Sequence, residues 1–421
     1  MIVPRNHFFL TGDDFPHYDG KNITFCVTNR CQLRCRYCYV HRKTDHKEMS
    51  LVTAKRIVDR MFEKQTQFFD SPHDDANRAL SKSDTGRKLT DRITFDFIGG
   101  EPLLRINLID EVCDYIKLKL LESAQRYYPR FNISTNGLRF DSPDVRKFVQ
   151  KNRPLLSIGI TIDGLPEMHD SCRVFPGGEG SYRHVRRSLE SSLKSFPNNS
   201  TKVTISPENL PRLAESLIHL WEVCGIQFIP ANLVFEPVWN TGDVIEFERQ
   251  LRRVAAFLLE EDRYGLYCTS LLSHRIGNPI PATNNKPPCG GNGAMLFWTH
   301  DGSFYNCVRF GPDACRNGLG YKLGDLDQGW DEQAFRRLSA VDRRSSSDDE
   351  CYQCDIAEGC SFCPGAQYDL TGDFLARPKH LCDFHKARVS VTREFYQQVW
   401  IRSSNRWSDY TSLVQHCGDR E

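Results

Sequence analysis

Short apolar stretches alternate with amphipathic ones along the first 260 or so residues. Apolar runs bounded by turn residues predict six strands, at 22–27, 93–98, 130–134, 155–162, 201–205 and 226–235. Apolar residues that recur every three or four positions predict helices at 50–64, 106–123, 142–152, 181–195, 209–224 and 243–262. Six successive strand–helix units favour a parallel sheet with right-handed crossovers. Because six strands fall short of a closed eightfold barrel, the predicted fold is α/β, a partial (β/α)6 TIM-like barrel.

Two segments depart from this alternation. Residues 66–91 are polar and without periodicity, which predicts a solvated loop. After about residue 270 Pro and Gly become frequent and cysteines cluster, which predicts a second module held together by metal more than by a core. Helical periodicity returns at 386–404. The expected domains are an N-terminal extension (1–20), the barrel (21–240), a bridging helical region (241–280), a cysteine-rich domain (281–390) and a C-terminal helix and tail (391–421).

Charge and cysteine content narrow the setting. The 421 residues include 55 Lys and Arg against 54 Asp and Glu, so no basic field favours nucleic acid or an anionic membrane. No export signal opens the chain, and no apolar run approaches the roughly 20 residues needed to span a bilayer. Seventeen cysteines in a long chain of this kind indicate metal binding or redox chemistry in a reducing compartment, so we expect a cytoplasmic protein.

The stretch "NRCQLRCRYCYV" places Cys31, Cys35 and Cys38 directly after the first strand. This loop belongs to the mouth of the barrel, where such folds carry out their chemistry. Three thiolates suit an iron–sulfur cluster that leaves one iron open. The alternative is a zinc site whose fourth ligand is the imidazole of His41 or His46.

The same run, with Tyr37 before the third cysteine, resembles the radical SAM enzymes. The resemblance implies that the three cysteines bind a [4Fe–4S] cluster. It also implies that the amino and carboxylate groups of S-adenosylmethionine (SAM) occupy the open iron. Electron transfer would then cleave SAM to a 5′-deoxyadenosyl radical, which abstracts a substrate hydrogen.

Three further motifs add to this resemblance, each at the end of a predicted strand. They are GGEP (99–102), STNG (134–137) and TIDG (161–164). Taken singly, each motif is equally at home in a structural βα turn. By resemblance to the family, the GGEP motif holds the methionyl amino group and the others lie near the SAM ribose and carboxylate. The residues expected to bind SAM are Tyr37, Gly99, Gly100, Glu101, Pro102, Ser134, Asn136, Thr161, Asp163 and Arg173.

The C-terminal cysteines include a CxxC-x5-CxxC pattern, which by itself fits a zinc ribbon as well as an iron–sulfur site. The whole set resembles the SPASM extension of radical SAM enzymes, which carries two auxiliary [4Fe–4S] clusters. By this resemblance Cys351, Cys354, Cys360 and Cys382 bind one cluster, and Cys289, Cys307 and Cys363 bind the other.

Two features depart from the SPASM pattern. Cys360 and Cys363 are separated by two residues where the family often has three. An eighth ligand before Cys289 is absent. We expect Cys315 to supply it, with Cys268 or an open iron as alternatives. The remaining cysteines are expected to be buried apolar residues: Cys26, Cys113, Cys172, Cys224 and Cys417.

SPASM-bearing enzymes mostly modify peptides, so the resemblance favours a maturase that forms a carbon–carbon or thioether crosslink in a ribosomally made peptide. The implied partners are this peptide and an electron donor of the flavodoxin or ferredoxin type. Some 20 residues precede the first strand, too few for the leader-binding domain that such maturases often carry. A separate leader-binding protein, or pairing of the peptide with an exposed edge of the open barrel, is therefore expected.

Other functions stay open at this point. Anaerobic sulfatase-maturing enzymes typically have Asp directly after the cysteine of a Gly-x4-Cys element. Here Val308 follows Cys307, and Asp313 is not at the matching position, which disfavours formylglycine formation. Peptide epimerisation is a further enzymatic alternative. A multi-cluster electron carrier or a zinc scaffold would not need Gly-rich turns at successive strand ends. No residue type or spacing singles out a catalytic base.

Overall fold

The computed structural model describes residues 21–41, 46–62, 92–122, 128–285, 289 and 295–403. The predicted N-terminal extension, the polar loop at 66–91 and Cys417 lie outside these residues. In the described parts, no helix is both long and apolar enough to cross a membrane.

Strands form where the apolar stretches predict them. They are β1 (Lys21–Thr28), β2 (Arg92–Gly99), β3 (Tyr128–Thr135), β4 (Leu156–Ile160), β5 (Val203–Ile205), β6 (Phe228–Ile229) and β7 (Ala231–Leu233). A further strand, β8 (Cys268–Thr269), was not predicted. The predicted sixth strand is split at Pro230, because proline has no N–H to donate to a sheet. As a result β7 pairs with β5, and β6 pairs with β8.

The predicted helices are confirmed, with ends that differ by a few residues. They are α1 (Leu51–Phe62), α2 (Ile106–Glu122), α3 (Pro143–Asn152), α4 (Pro166–Cys172), α5 (Tyr182–Ser195), α6 (Leu213–Glu222) and α7 (Thr241–Leu259). The short α4 is the one that the periodicity did not predict. In the C-terminal region α8 (Glu332–Ser339), α9 (Asp349–Tyr352) and α10 (Pro364–Thr371) precede α11 (Cys382–Ser403).

Strands β1 to β4 form a parallel sheet in chain order, and its two faces differ in polarity. The helix-facing side is aromatic, with the rings of Phe25 and Phe97 stacked at 5.5 Å and Phe131 beside them. Lys117 of α2 lies over the Phe131 ring, which fixes this face toward the helices. Because side chains alternate along a strand, the neighbouring polar residues face the barrel interior, which we call the lumen.

The C-terminal region continues the same sheet. Strands β9 (Met295–Trp298), β10 (Ser303–Tyr305), β11 (Lys322–Asp325) and β12 (Gly329–Trp330) form an antiparallel meander, and β9 pairs in parallel with β1. The eight strands run in the order β12-β11-β10-β9-β1-β2-β3-β4. The barrel edge at β1 is therefore covered, and the expectation that an exposed edge receives a peptide fails at this strand.

Aromatic packing gives the C-terminal region more of a core than the sequence analysis expected. Trp298 packs against Phe304 with ring centroids 4.6 Å apart, and Phe304 packs against Trp330 at 4.8 Å. Phe310 is buried beside Tyr321 and Phe374. The expectation that metal would replace a core here needs this correction. The buried positions expected for Cys26, Cys113, Cys172 and Cys224 are confirmed.

Candidate active site

The glycines of the GGEP motif hold the start of the cysteine loop, the segment 29–41 that follows β1. The amides of Gly100 and Glu101 donate to the carbonyl oxygens of Thr28 and Arg30, each at 2.8 Å. A Cβ on Gly100 would lie 2.4 Å from the Arg30 carbonyl oxygen, and one on Gly99, at φ +155°, would lie 2.1 Å from that of Thr28. Close approach to this loop, more than to a ligand, explains both glycines.

The other side of the cysteine loop is held by backbone at the end of α4 and directly after it. The amide of Arg34 donates to the Val174 carbonyl at 2.7 Å, and the amide of Arg36 donates to the Cys172 carbonyl at 2.9 Å. All three cysteines of the loop are half-buried. Because both flanks are hydrogen-bonded to the barrel, the loop presents its thiols at a defined position at the mouth.

The Glu101 carboxylate joins the motif at the end of β2 to the motif at the end of β3. It is 1% exposed and accepts hydrogen bonds from the Thr135 hydroxyl at 2.6 Å, the Asn136 amide at 2.8 Å and the Leu103 amide at 3.0 Å. Burial raises the pKa of Glu101, and these donors act against that rise. The Asn136 side chain in turn lies 3.8 Å from the Cys31 sulfur as a donor. The ends of β2 and β3 are thereby linked to the first cysteine.

A second polar network surrounds Tyr37. Its hydroxyl donates to Asp163, and Arg173 donates to the same hydroxyl at 2.9 Å. Burial raises the pKa of Tyr37 well above its ordinary value, so the phenol is neutral. In the described part of the chain the buried Arg173 Nε has no partner. An orphaned guanidinium N–H beside the cysteine loop fits a site that receives an anionic group, such as a carboxylate.

The remaining predicted residues complete the mouth. Ser134 is exposed toward the lumen and Thr161 is half-buried at the end of β4. His169 has a structural role, because its Nδ1 accepts from the Asp163 amide at 3.3 Å and its ring contacts the Ser181 hydroxyl at 2.9 Å. Pro102 is buried at the start of the turn that Glu101 caps.

The C-terminal cysteines fall into two groups. In the first, which we call the Cys307 group, Cys307 has Cys363 and Cys289 as neighbours. Burial is the main cause that raises the pKa of Cys307 to about 12, and the negative charges of the two neighbouring thiolates add to the rise. Cys363 also caps α10, since its sulfur accepts from the Ala366 amide at 3.5 Å. This is the trio that the SPASM resemblance assigns to one cluster.

In the other group, Cys360 has Cys382 and Cys354 as neighbours. Burial raises the pKa of Cys360, and the guanidinium of Arg377 acts to lower it. Arg377 lies 4.8 Å over the Phe362 ring, and its charge also acts on Cys351. The positive charge of Arg377 therefore acts on two cysteines of this second group, Cys351 and Cys360.

Cys315 contacts the turn that follows Cys307. It is buried and donates to the Arg309 carbonyl at 3.5 Å, and the charges that act on its pKa are those of Asp369 and Arg309. Its role as a fourth ligand stays a prediction. Among the described residues, no three His, Cys, Asp or Glu side chains lie close enough together to hold a single metal ion. In an iron–sulfur cubane each cysteine binds a different iron, so its ligands are spread more widely than those of a single ion.

Between the cysteine loop and the Cys307 group the lumen carries charged residues that the sequence analysis missed. Arg309 pairs with Glu236 at 2.8 Å and lies 4.9 Å over the Tyr39 ring. The side chain of Lys202 is exposed toward the lumen. The surrounding protein still desolvates its ammonium group, which lowers the pKa of Lys202. Asp96 accepts from the Asn132 side chain at 2.6 Å. Polar residues at alternate positions of β2 and β3 were the signal that could have revealed Asp96.

Comparison with known proteins agrees with this geometry. Residues 25–217 match the radical SAM superfamily. A cysteine-type anaerobic sulfatase-maturating enzyme of Clostridium novyi is 22% identical over 349 residues, covering 78% of this chain and 83% of that protein.

Two solved structures share the fold. Native anSMEcpe with bound AdoMet and the Cp18Cys peptide has a TM-score of 0.61 at 14% identity, covering 92% of this chain and 100% of that chain. SuiB of Streptococcus suis bound to its precursor peptide SuiA has a TM-score of 0.56 at 11% identity, covering 86% and 75%. Together with the motifs at the ends of β1 to β4, these matches show that residues 25–217 form a radical SAM domain and that the chain is similar to the anaerobic sulfatase-maturating enzymes.

Proposed function

We propose that this enzyme matures a ribosomally synthesised peptide by forming a carbon–carbon or carbon–sulfur crosslink. One observation carries the proposal: the radical SAM motifs meet at the mouth of a polar lumen, and the Cys307 group faces the same lumen through Arg309 and Tyr39. A hydrogen abstracted at the mouth and an electron withdrawn by the C-terminal region would then act on the same substrate. The relatives whose names include a peptide support a peptide substrate.

The cofactors follow from the cysteine groups. Cys31, Cys35 and Cys38 would hold the [4Fe–4S] cluster that binds SAM. Cys351, Cys354, Cys360 and Cys382 would hold one auxiliary cluster, and Cys289, Cys307 and Cys363 the other, with Cys315 as its expected fourth ligand. When bound, these groups supply a hydrogen-abstracting radical at the mouth and an electron acceptor across the lumen.

The chain's own residues bind and orient. Arg173 has a free Nε–H with which to hold the SAM carboxylate, while Tyr37 and Asp163 fix the position of its guanidinium. Glu101 provides a buried carboxylate for the methionyl ammonium, in the place that the GGEP resemblance implies. The methionyl ammonium, together with the charge of Arg173, would lower the raised pKa of Glu101. It would thereby favour the carboxylate form of Glu101 that binds the ammonium.

The sulfatase-maturing alternative lacks its expected base. Val308 follows Cys307, and the Asp313 carboxylate accepts a hydrogen bond from the Asn29 side chain at 2.9 Å. The Asp313 carbonyl also accepts from the His41 amide at 2.8 Å. Asp313 thus fastens the C-terminal region to the cysteine loop, and we assign it an anchoring role.

The proposal extends to partners and place. We propose that a flavodoxin or ferredoxin supplies electrons, that a separate protein presents the leader peptide, and that the reaction takes place in the cytoplasm. The 21–240 barrel would cleave SAM, and the 281–390 domain would accept the electron left after coupling.

Co-expression with a short reading frame beside the gene tests the proposal, with Cys35→Ala as the inactive control. The anaerobically reconstituted protein should contain about twelve irons per chain, four for each cluster. It should cleave SAM to 5′-deoxyadenosine. The peptide should lose two hydrogens in a form that resists reduction and thiol alkylation. An unchanged mass with altered stereochemistry would indicate epimerisation, and a hydrazine-reactive aldehyde would indicate formylglycine. A colourless protein inert to SAM would overturn the proposal.

A further inference from the structure

A carboxylate lies in the lumen below the cysteine loop. Asp96 of β2 is in register with Thr24 of β1 and Asn132 of β3, and Asn132 is in register with Ser157 of β4. Its chain neighbours Phe95 and Phe97 are fully buried on the helix-facing side, so Asp96 faces the lumen, where it is half-buried. These four polar residues form a row across the inner face of the sheet.

Asp96 differs from most of the acids around the mouth in the charges near it. The guanidinium of Arg173 acts on Glu101 and Asp163, that of Arg309 pairs with Glu236, and Asp313 is held by Asn29 as an anchor of the cysteine loop. For Asp96 the described residues provide one hydrogen bond, from the neutral Asn132 side chain, and no ion pair. A carboxylate kept in an enclosed polar cavity without a cation is a candidate for proton transfer.

The surroundings suit a base that works near neutral pH. Desolvation by the surrounding protein raises the pKa of Asp96 to about 6, and the Asn132 hydrogen bond acts in the opposite direction. The titratable group that faces it is Tyr39, which lies within electrostatic reach of Cys38, Arg309, Cys307 and Asp96. Burial raises the pKa of Tyr39, so its phenol stays neutral and does not compete as a base. Lys202, whose pKa burial lowers, is the competing base in the lumen.

We propose that Asp96 is the proton acceptor of the crosslinking reaction. This inference rests on the proposed function. In it, a substrate C–H group and a partner X–H group become a C–X bond. The radical derived from SAM removes one hydrogen atom and ends as 5′-deoxyadenosine. Bond formation releases one proton, which Asp96 takes, and one electron, which passes to an oxidised iron–sulfur cluster. Atoms and charge balance, and the base required by this step lies on β2, away from position 308, where the sulfatase-maturing pattern has its Asp.

The test compares the reconstituted wild type with Asp96→Asn, Asp96→Glu, Lys202→Met and a matched control, Thr94→Val. Thr94 lies two residues before Asp96 on the same face of β2. The substrate is the peptide that the wild type converts on co-expression. Product formed per 5′-deoxyadenosine should fall at least about 100-fold in Asp96→Asn, the lower range for loss of a general base. SAM cleavage itself should persist, which also shows that the variant folds.

Two further readouts separate proton transfer from a structural role. Product formation by the wild type should rise with pH through a midpoint near 6, and Asp96→Glu should restore part of the yield with a displaced midpoint. In cluster-free protein, the wild-type-minus-Asp96→Asn infrared difference should show a carboxylic acid band that titrates over the same range.

Product yield in Asp96→Asn within twofold of the wild type, or loss of product in Lys202→Met alone, would overturn the assignment. A band that titrates near pH 4 would do the same. A wild type that cleaves SAM but leaves every tested peptide unchanged overturns the proposed function instead, which is a distinguishable result.

Discussion

At the scale of single residues, two buried carboxylates of the site, Glu101 and Asp96, differ in their hydrogen-bond partners. The pKa of Glu101 and that of Asp96 are both raised by burial, yet Glu101 has three donors where Asp96 has the Asn132 amide. The first is held in place by its hydrogen bonds, and the second remains able to change its protonation state. Residue type did not reveal this difference, because it depends on what each side chain faces.

Asp96 should make the stability of the protein depend on pH. Its folded pKa of about 6 lies above the ordinary value of 3.8, so the folded state holds the proton more tightly than the unfolded state. Stability from this group is therefore present below about pH 4 and is lost as pH rises through 6. In cluster-free protein at pH 7.5, Asp96→Asn should therefore have a higher Tm than the wild type. Its free energy of unfolding should exceed that of the wild type by up to about 3 kcal/mol.

The Tm difference between Asp96→Asn and the wild type should shrink as the pH is lowered toward 4. Thr94→Val serves as the control, since its difference from the wild type should not change with pH. Equal differences at pH 7.5 and pH 4.5, measured by circular dichroism or calorimetry, would contradict the raised pKa.

At the scale of elements, the turn after β2 and the loop after β1 depend on each other. The amides of Gly100 and Glu101 bind carbonyls of the cysteine loop, and this contact leaves no room for a side chain on Gly100. The motifs predict that both segments belong to a SAM site, and this stays a prediction. Sequence analysis assigned the glycines to contact with a ligand, because a motif shows which residues recur and not what they touch.

Gly100→Ala should damage the cysteine loop selectively. The added Cβ would meet two backbone carbonyls, those of Arg30 and Asn29, at 2.4 and 2.6 Å, and backbone cannot turn aside as a flexible side chain can. Reconstituted protein should lose about four of about twelve irons, together with SAM cleavage. Gly159→Ala is the matched control, because a Cβ on this β4 glycine meets nothing within 4 Å. Full iron content and normal SAM cleavage in Gly100→Ala would refute this account of the turn.

At the scale of the whole molecule, the C-terminal region is built into the barrel. Strand β9 pairs with β1, and Asp313 anchors the cysteine loop through Asn29 and the His41 amide. Arg309 then bridges Tyr39 of the loop and Glu236 beyond β7. These contacts join the C-terminal region to the mouth of the barrel, as the proposed transfer of an electron to that region requires.

The proposed function assigns SAM cleavage to the barrel and electron acceptance to the C-terminal region. We therefore expect different defects from two cysteine substitutions. Cys35→Ala should abolish SAM cleavage, because it would remove a ligand of the proposed SAM-binding cluster. Cys354→Ala should retain SAM cleavage but lose at least about 90% of crosslinked product, since the electron left after coupling would lack its acceptor. Both quantities can be measured in one assay by chromatography of 5′-deoxyadenosine and mass spectrometry of the peptide. Full product from Cys354→Ala would exclude an electron-accepting role for this group.

The sequence by itself determined most strands and helices of the barrel, the order in which they occur, and the motifs at the strand ends. These features depend on local periodicity and on short spacings, which neighbouring residues encode. Only the tertiary structure decided that β9 closes the β1 edge and that Asp313 and Arg309 reach the cysteine loop. It also decided that Asp96 faces the lumen with no ion pair to any of the described residues. Such contacts join residues far apart in the chain, and their energies depend on burial and distance that no local pattern records.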